Sequence, residues 1–540
     1  MTNNIISSKL VEVIACIIIF LTIFALYSKT ADYGFTYHDD DSFILQNAPH
    51  YAGSNVLNIF KSNVFFGRIT LYYRPVLTLS FMIDNKIAGA SAQFSHFTNI
   101  ILHIISCFII YFFLRKYYFN RVFAFFAAEL FAVHPLNIYT ATWIPGRNDS
   151  LFLIFFLISL VFFIEYCKLQ PYSISGKTRK IFYFAIHAIF LSALFFTKES
   201  AVIIPFVFLF YYFTHINSRG KALKPAIFVL WTAVTVLFFI ARHFALLGLK
   251  RDPAAFLDKL NFSALYMIGE YFSGAFFLIT QFGIEPQISI IITAIISVAL
   301  FVFLFIKQKS NVKKMSFYFL LPFLIIGATI PGGRLWAQAN RMYLPLFAII
   351  VLCFSFFASQ TDKVKKTFLI FISLFICISF YISFNKNGVF KNSESFWGQI
   401  FTELKNHPNV IQNYYATALI RSARIDEAFT IIMNSNKSDG LDASDFYNLG
   451  VYYFVKEDYK NAEFFFAKAL ENEGFQTSEN YANLYLCAKY AGNFKAAKQY
   501  KKDSVYKTRL SPENFDEFVQ YIEDSLKEKR DAYLKRRLGN

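Results

Sequence analysis

Three consecutive carboxylates, Asp39, Asp40 and Asp41, follow the first long apolar run, within Gly34-Phe35-Thr36-Tyr37-His38-Asp39-Asp40-Asp41-Ser42-Phe43-Ile44-Leu45-Gln46-Asn47. Adjacent acids repel one another, so their cost needs an offset: a cation, a shared proton, or a substrate that changes charge as it reacts. Alone, such a triplet is a solvated turn. Beside a membrane surface, in a chain that places few acids near its apolar segments, it reads as the chemical centre. Asp39 and Asp41 also complete an Asp-x-Asp, the spacing that holds a divalent cation on a diphosphate. Against the metal reading, no nucleotide-binding α/β domain accompanies the motif.

The elements that position these acids follow from composition. Of 540 residues, 56% are hydrophobic and 70 are Phe, and the mean hydropathy is +0.41. One soluble core cannot hide that much apolar surface. Repeated apolar runs of about 17 to 25 residues, each able to cross roughly 30 Å of hydrocarbon, mark a polytopic helical membrane protein. The net charge of +17 does not point to nucleic acid, because Lys and Arg sit in short loops between the runs, where the positive-inside rule accounts for them. Residues 10–27 lack a small-residue cleavage site and read as an anchor. Five cysteines lie in apolar runs and Cys487 lies alone in the polar tail, so neither a disulfide framework nor a metal cluster is indicated.

Spanning helices are expected near 10–27, 97–114, 122–141, 149–167, 181–197, 200–214, 226–247, 288–306, 315–330, 342–359 and 367–384, about eleven in all. The loops carrying Arg115, Lys116 and Arg121, then Lys168, Lys177, Arg179 and Lys180, then Arg219, Lys221 and Lys224 alternate as cytoplasmic loops should. Ala264 to Gln281 is read as re-entrant or surface-lying, since counting it as a span would move four lysines outside. The first outer loop is then large, 28–96. Asp39 to Asp41, Arg74, the stretch His134 to Asp149, Lys198-Glu199, Arg334 and Arg341 all end at the outer surface. A charge at the bilayer centre costs roughly 2.5 to 3.5 kcal/mol, so their shared side favours one wet cavity.

After Phe384 the composition turns polar and helix-favouring, giving a membrane domain over 1–384 and an extracytoplasmic helical domain over 385–540. Phe446, Leu449, Gly450, Tyr453, Ala462, Phe466 and Ala469 fit the tetratricopeptide pattern. Ala428, Ala462 and Ala497 mark its period of about 34 residues, and Ser511 to Arg537 reads as a charged capping helix. The fold class is all-α: a polytopic membrane bundle with a C-terminal α-solenoid.

The motifs, taken in order, resemble a known superfamily. They are Gly34 to Asn47; Tyr73-Arg74-Pro75; His96-Phe97-Thr98-Asn99 with His103; His134-Pro135 through Trp143 to Gly146-Arg147-Asn148-Asp149; Lys198-Glu199-Ser200; and Arg341-Met342-Tyr343-Leu344-Pro345. The membrane half is similar to the GT-C glycosyltransferases, most of all to membrane O-mannosyltransferases with C-terminal tetratricopeptide repeats and their bacterial relatives. That resemblance implies an inverting transfer from a polyprenyl-phosphate-linked sugar to a hydroxyl of a protein or other glycoconjugate, recruited by the repeats. It aligns Asp39 and Asp40 with the acidic pair that contains the general base. The departing phosphate gains charge, so fixed cations should await it: Arg341, Arg74, Lys198, Arg147 and Arg334, in that order. His134, His96, Asp149 and Glu199 are supporting candidates.

The chain departs from the family in two places. Asn137 and Tyr139 stand where relatives often carry His and Glu, and Asn340 stands where they often carry an acid, so Asp149 or Glu199 is expected to compensate. Two other readings stay open: a non-catalytic scaffold or lipid-carrier transporter, and a transferase acting on lipid or polysaccharide. Residue usage heavy in Phe, Ile, Asn and Lys points to a bacterial inner membrane, with the N-terminus cytoplasmic and the repeats periplasmic. The alternative is an endoplasmic reticulum membrane with luminal repeats.

Overall fold

Apolar chain facing lipid can satisfy its backbone only within helices or closed barrels. In the computed structural model the described residues form helices, with no strand among them. These residues are 2–53, 55–66, 70, 72–169, 174–216, 223–247, 262–278, 288–307, 339–404, 408–434, 440–508 and 511–538. They divide into two compact units, Met1–Asn392 and Ser393–Asn540.

The first unit contains α1 Thr2–Tyr27, α2 Pro75–Ala88, α3 Ala92–Tyr117, α4 Arg121–Val133, α5 Arg147–Lys168, α6 Ile174–Phe195, α7 Ile204–Tyr211, α8 Pro225–Ala245, α9 Phe262–Phe277, α10 Ile288–Lys307, α11 Tyr343–Ala358 and α12 Asp362–Lys386. Among the described residues eight helices are long and apolar enough to cross a membrane, or nine if the pair Arg121–Val133 and Pro135–Ala141, bent by 53°, is one span.

Nine of the eleven expected spans correspond to these helices, the bent pair counted as one. The run 200–214 belongs to the short apolar stretch Glu199–Thr214, which at 1.5 Å per residue is about 24 Å long, short of a roughly 30 Å core. The expected span 315–330 lies outside the described residues. The 122–141 span bends at His134-Pro135, where proline cannot donate to the helix ladder.

Polar contacts mark the two ends of the bundle. On α3, Arg115 pairs with Glu12 at 2.7 Å and Lys116 with Glu165 at 2.8 Å, and Arg121 reaches the same Glu12 at 3.4 Å. Ser95, His96 and Asn99 lie near the opposite end of α3, and His96 stands about 29 Å of helix rise from Arg115. The acidic loop folds around short helices Asp40–Ile44, Ala48–Gly53 and Val56–Phe60 together with α2. Phe43, Ile44, Tyr51, Ile59, Leu77, Phe81 and Met82 form its apolar core.

The second unit contains α13 Ser393–Glu403, α14 Asn409–Arg421, α15 Ile425–Met433, α16 Ala443–Val455, α17 Tyr459–Leu470, α18 Ser478–Tyr490, α19 Phe494–Thr508 and α20 Pro512–Leu538. Consecutive helices pack as neighbours, and Ala428, Ala462 and Ala497 are all buried. Gly450 lets α16 and α17 approach closely: a Cβ there would stand 2.6 Å from the Phe466 ring. Side chains close the helix starts, with a capping box between Asp442 and Asp445 on α16 and Thr477 capping α18.

Candidate active site

The three aspartates do not share one environment. Asp40 is fully buried. Its carboxylate accepts from Thr36 N at 2.6 Å, Thr36 Oγ1 at 2.8 Å, Asp41 N at 2.9 Å and His38 N at 3.2 Å. Burial pushes its carboxyl up to about 7, against the Thr36 and Asp41 donors that pull it back. Asp39 is exposed and sits at φ +68°, a left-handed conformation uncommon for a residue with a side chain. Asp41 is half-buried and accepts from Gln46 Nε2 at 3.0 Å. Thus one acid ties the loop together while Asp39 faces solvent.

Motif residues on the helices hold this loop. His96, buried on α3, donates from Nε2 to the Gly34 carbonyl at 3.2 Å. The Trp143 indole N–H donates to the His38 carbonyl at 3.0 Å, and its ring stacks on the His38 imidazole at 5.2 Å. The Gly34 amide donates to the Lys391 carbonyl at 2.9 Å. His96 is therefore a strut for the acidic loop.

A second constellation gathers charges from four distant segments. Arg74 Nε lies 2.8 Å from Glu199 Oε2, whose other oxygen accepts from Tyr73 N at 2.9 Å. The Arg74 guanidinium also lies over the Tyr72 ring at 4.3 Å. Lys198 Nζ lies 2.5 Å from Asp149 Oδ1, and Asn340 Nδ2 donates to Asp149 Oδ2 at 2.8 Å. Burial lowers the Lys198 ammonium below its ordinary range; Asp149 opposes this, while Arg74 and Arg341 lower it further. Arg341 follows Asn340 directly in the chain, which brings its backbone beside the same cluster. The stretch from Trp143 to Asp149 connects the two constellations, with Trp143 on the acidic loop and Asp149 on the cations.

Other candidates have different positions. Arg147 is fully buried: NH1 pairs with Asp84 at 2.7 Å, Nε donates to Asn99 Oδ1 at 2.9 Å and NH2 to the Ser95 carbonyl at 2.9 Å. Its ring neighbour is Phe81 at 4.2 Å. Through these contacts Arg147 joins α2, α3 and α5. His134 is buried, accepting from Leu136 N and donating to the Ala275 carbonyl, both at 3.3 Å. His103 is buried between the Tyr343 hydroxyl and the Ala132 carbonyl. Arg334 lies outside the described residues.

Asp84 was missed from the sequence, although a lone acid in the apolar run that became α2 was a usable signal. Asn340, read only as a missing acid, instead supplies a donor to Asp149. Among the described residues no three His, Cys, Asp or Glu side chains converge as a bound metal would need.

No family model matches the chain. It is 31% identical over 155 residues to the protein O-mannosyl-transferase TMTC2 of Mus musculus, covering 28% of this chain and 18% of that protein. It is also 31% identical over 147 residues to TMTC1 of the same organism, covering 26% and 15%. The match thus spans less than a fifth of these relatives' length. Among solved structures, ArnT from Cupriavidus metallidurans bound to undecaprenyl phosphate is 10% identical with a TM-score of 0.46, covering 92% of this chain and 77% of that one. The Archaeoglobus fulgidus oligosaccharyltransferase is 14% identical with a TM-score of 0.41, covering 90% and 72%. The likeness read from the ordered motifs is therefore present at the level of sequence: the chain is similar to the membrane protein O-mannosyl-transferases of the TMTC group.

Proposed function

We propose that this chain is a membrane glycosyltransferase of the GT-C type. It moves a sugar, with inversion, from a polyprenyl-phosphate donor to a hydroxyl of a protein Ser/Thr or another glycoconjugate. The reaction takes place at the outer face of a bacterial inner membrane, and the C-terminal helices recruit the acceptor. The observation that carries this reading is the convergence of Arg74, Lys198, Arg341, Asp149 and Glu199 from separate segments. Arg74, Lys198 and Arg341 bring cations together where a phosphate can be met.

In this mechanism Asp39 is the base. A base must first be able to reach the proton it removes. Asp39 is exposed, whereas Asp40 is enclosed by four donors. The acceptor oxygen attacks the anomeric carbon and gives its proton to Asp39 while the bond from that carbon to the phosphate oxygen breaks. The electron pair leaves on polyprenyl phosphate, whose growing charge is met by Arg74, Lys198 and Arg341. Glu199 and Asp149 hold two of those cations in place beforehand.

The test is sugar transfer in membranes from Asp39→Asn and Asp40→Asn proteins measured separately. Loss of transfer with normal stability is expected for Asp39→Asn, and loss accompanied by lowered stability for Asp40→Asn. Full activity in the Asp39→Asn protein would end the assignment.

A further inference from the structure

The second unit presents a surface that the transfer reaction does not use. Along α19 the residues Phe494, Lys498, Lys502 and Tyr506 recur every fourth position and are all exposed, Phe494 at 71% and Tyr506 at 82%. At about 100° per residue, each four-residue step drifts by about 40°, so the four share an arc of about 120°. Lys495, also exposed, falls inside that arc. The opposite side of the helix faces inward: Ala497 and Ser504 are buried, and the Tyr500 hydroxyl donates to Glu463 at 2.8 Å.

The charges on the two faces are treated differently. Lys501, off the arc, pairs with Asp516 at 2.6 Å. Among the described residues Lys495, Lys498 and Lys502 have no ion-pair partner. An aromatic ring at each end and lysines between them form a surface with one apolar and one cationic component. The two rings stand about 18 Å of helix rise apart on the same arc.

We infer that this face of α19 docks on an anionic bilayer surface. Phe494 and Tyr506 enter the headgroup boundary, where aromatic side chains are favoured, while Lys495, Lys498 and Lys502 meet lipid phosphates. A bilayer is available to this chain because the chain carries candidate membrane spans. A soluble acidic protein would satisfy the lysines but gives no reason for rings at both ends. This inference stands apart from the transferase reading, because none of its residues belongs to the candidate active site.

The experiment uses the full chain. Phe494→Trp protein is reconstituted into vesicles with brominated acyl chains, either wholly zwitterionic or one-third anionic, and its fluorescence is compared with that of the parent protein. The added signal is expected to be quenched at least twofold more in the anionic vesicles. Lys498→Glu with Lys502→Glu should remove that difference while helix content by circular dichroism stays unchanged, and Lys498→Gln with Lys502→Gln should weaken it. Equal quenching in both vesicles, no quenching, or quenching indifferent to the lysine changes would overturn the inference. So would protection of the tryptophan by soluble poly-glutamate but not by anionic vesicles, which would assign the face to an acidic protein.

Discussion

Trp143 engages His38 twice, donating its indole N–H to the His38 carbonyl at 3.0 Å and stacking on the imidazole at 5.2 Å. A residue at the end of the first apolar turn before α5 thereby fixes the loop that carries the aspartates. Trp143→Phe retains a ring for stacking and loses only the hydrogen bond, a loss of about 0.5 to 1.5 kcal/mol. Sugar transfer in membranes should fall about two- to tenfold in that variant, and further in Trp143→Ala.

Asp40 should impose a pH dependence on stability. Its carboxyl is raised by burial to about 7 from an ordinary value near 3.8, so folding favours the protonated form. Its contribution is complete below the ordinary value and is lost as pH rises toward about 7, at a slope of up to about 1.4 kcal/mol per pH unit, with no further change above. Thermal unfolding in detergent should show this decline in the parent protein. Asp40→Asn should be less stable throughout, because one amide oxygen cannot replace two acceptors, but its pH profile should be flatter.

The pair of Lys198 and Asp149 is largely buried, with side-chain exposures of 18% and 9%. Removing one partner leaves a buried charge uncompensated. Asp149→Asn is therefore expected to cost about 3 to 5 kcal/mol. Adding Lys198→Met should restore part of the unfolding temperature without restoring transfer.

Gly146 makes a close backbone contact: a Cβ there would lie 2.3 Å from the Tyr139 carbonyl and 2.9 Å from Thr140 Cα. Backbone atoms cannot swing aside as a flexible side chain can. Gly146→Ala should force the start of α5 away from the 138–141 turn, destabilising the protein by about 1 to 3 kcal/mol or more. The readout is the yield of folded protein after extraction in detergent.

Much of the bundle was legible because length and apolarity alone decide whether a helix can cross. Residues 200–214 misled because apolarity was judged without length; the α-helix within them runs only from Ile204 to Tyr211. The convergence of Arg74, Lys198, Arg341 and Glu199 was anticipated from their shared sidedness. Arg147 could not be separated from them in the same way, because its role depends on Asp84, Ser95 and Asn99, which meet only in three dimensions. Nor does Asp-Asp-Asp spacing reveal which carboxylate turns inward. Thr36, four residues earlier, decides that by supplying two donors to Asp40.

The helix with His96 toward one end and Arg115 toward the other also bears on supply. Glu12 and Glu165 anchor basic side chains at the Arg115 end, while the aspartates and their cations belong with the His96 end. In the proposed reaction, a lipid-linked sugar assembled in the leaflet beside Arg115 is turned over to the opposite leaflet before Arg74 and Lys198 meet its phosphate. Under the proposed chemistry, the flux of product is thus tied to an upstream translocation step, and depletion of flipped carrier would starve the enzyme even with its fold intact.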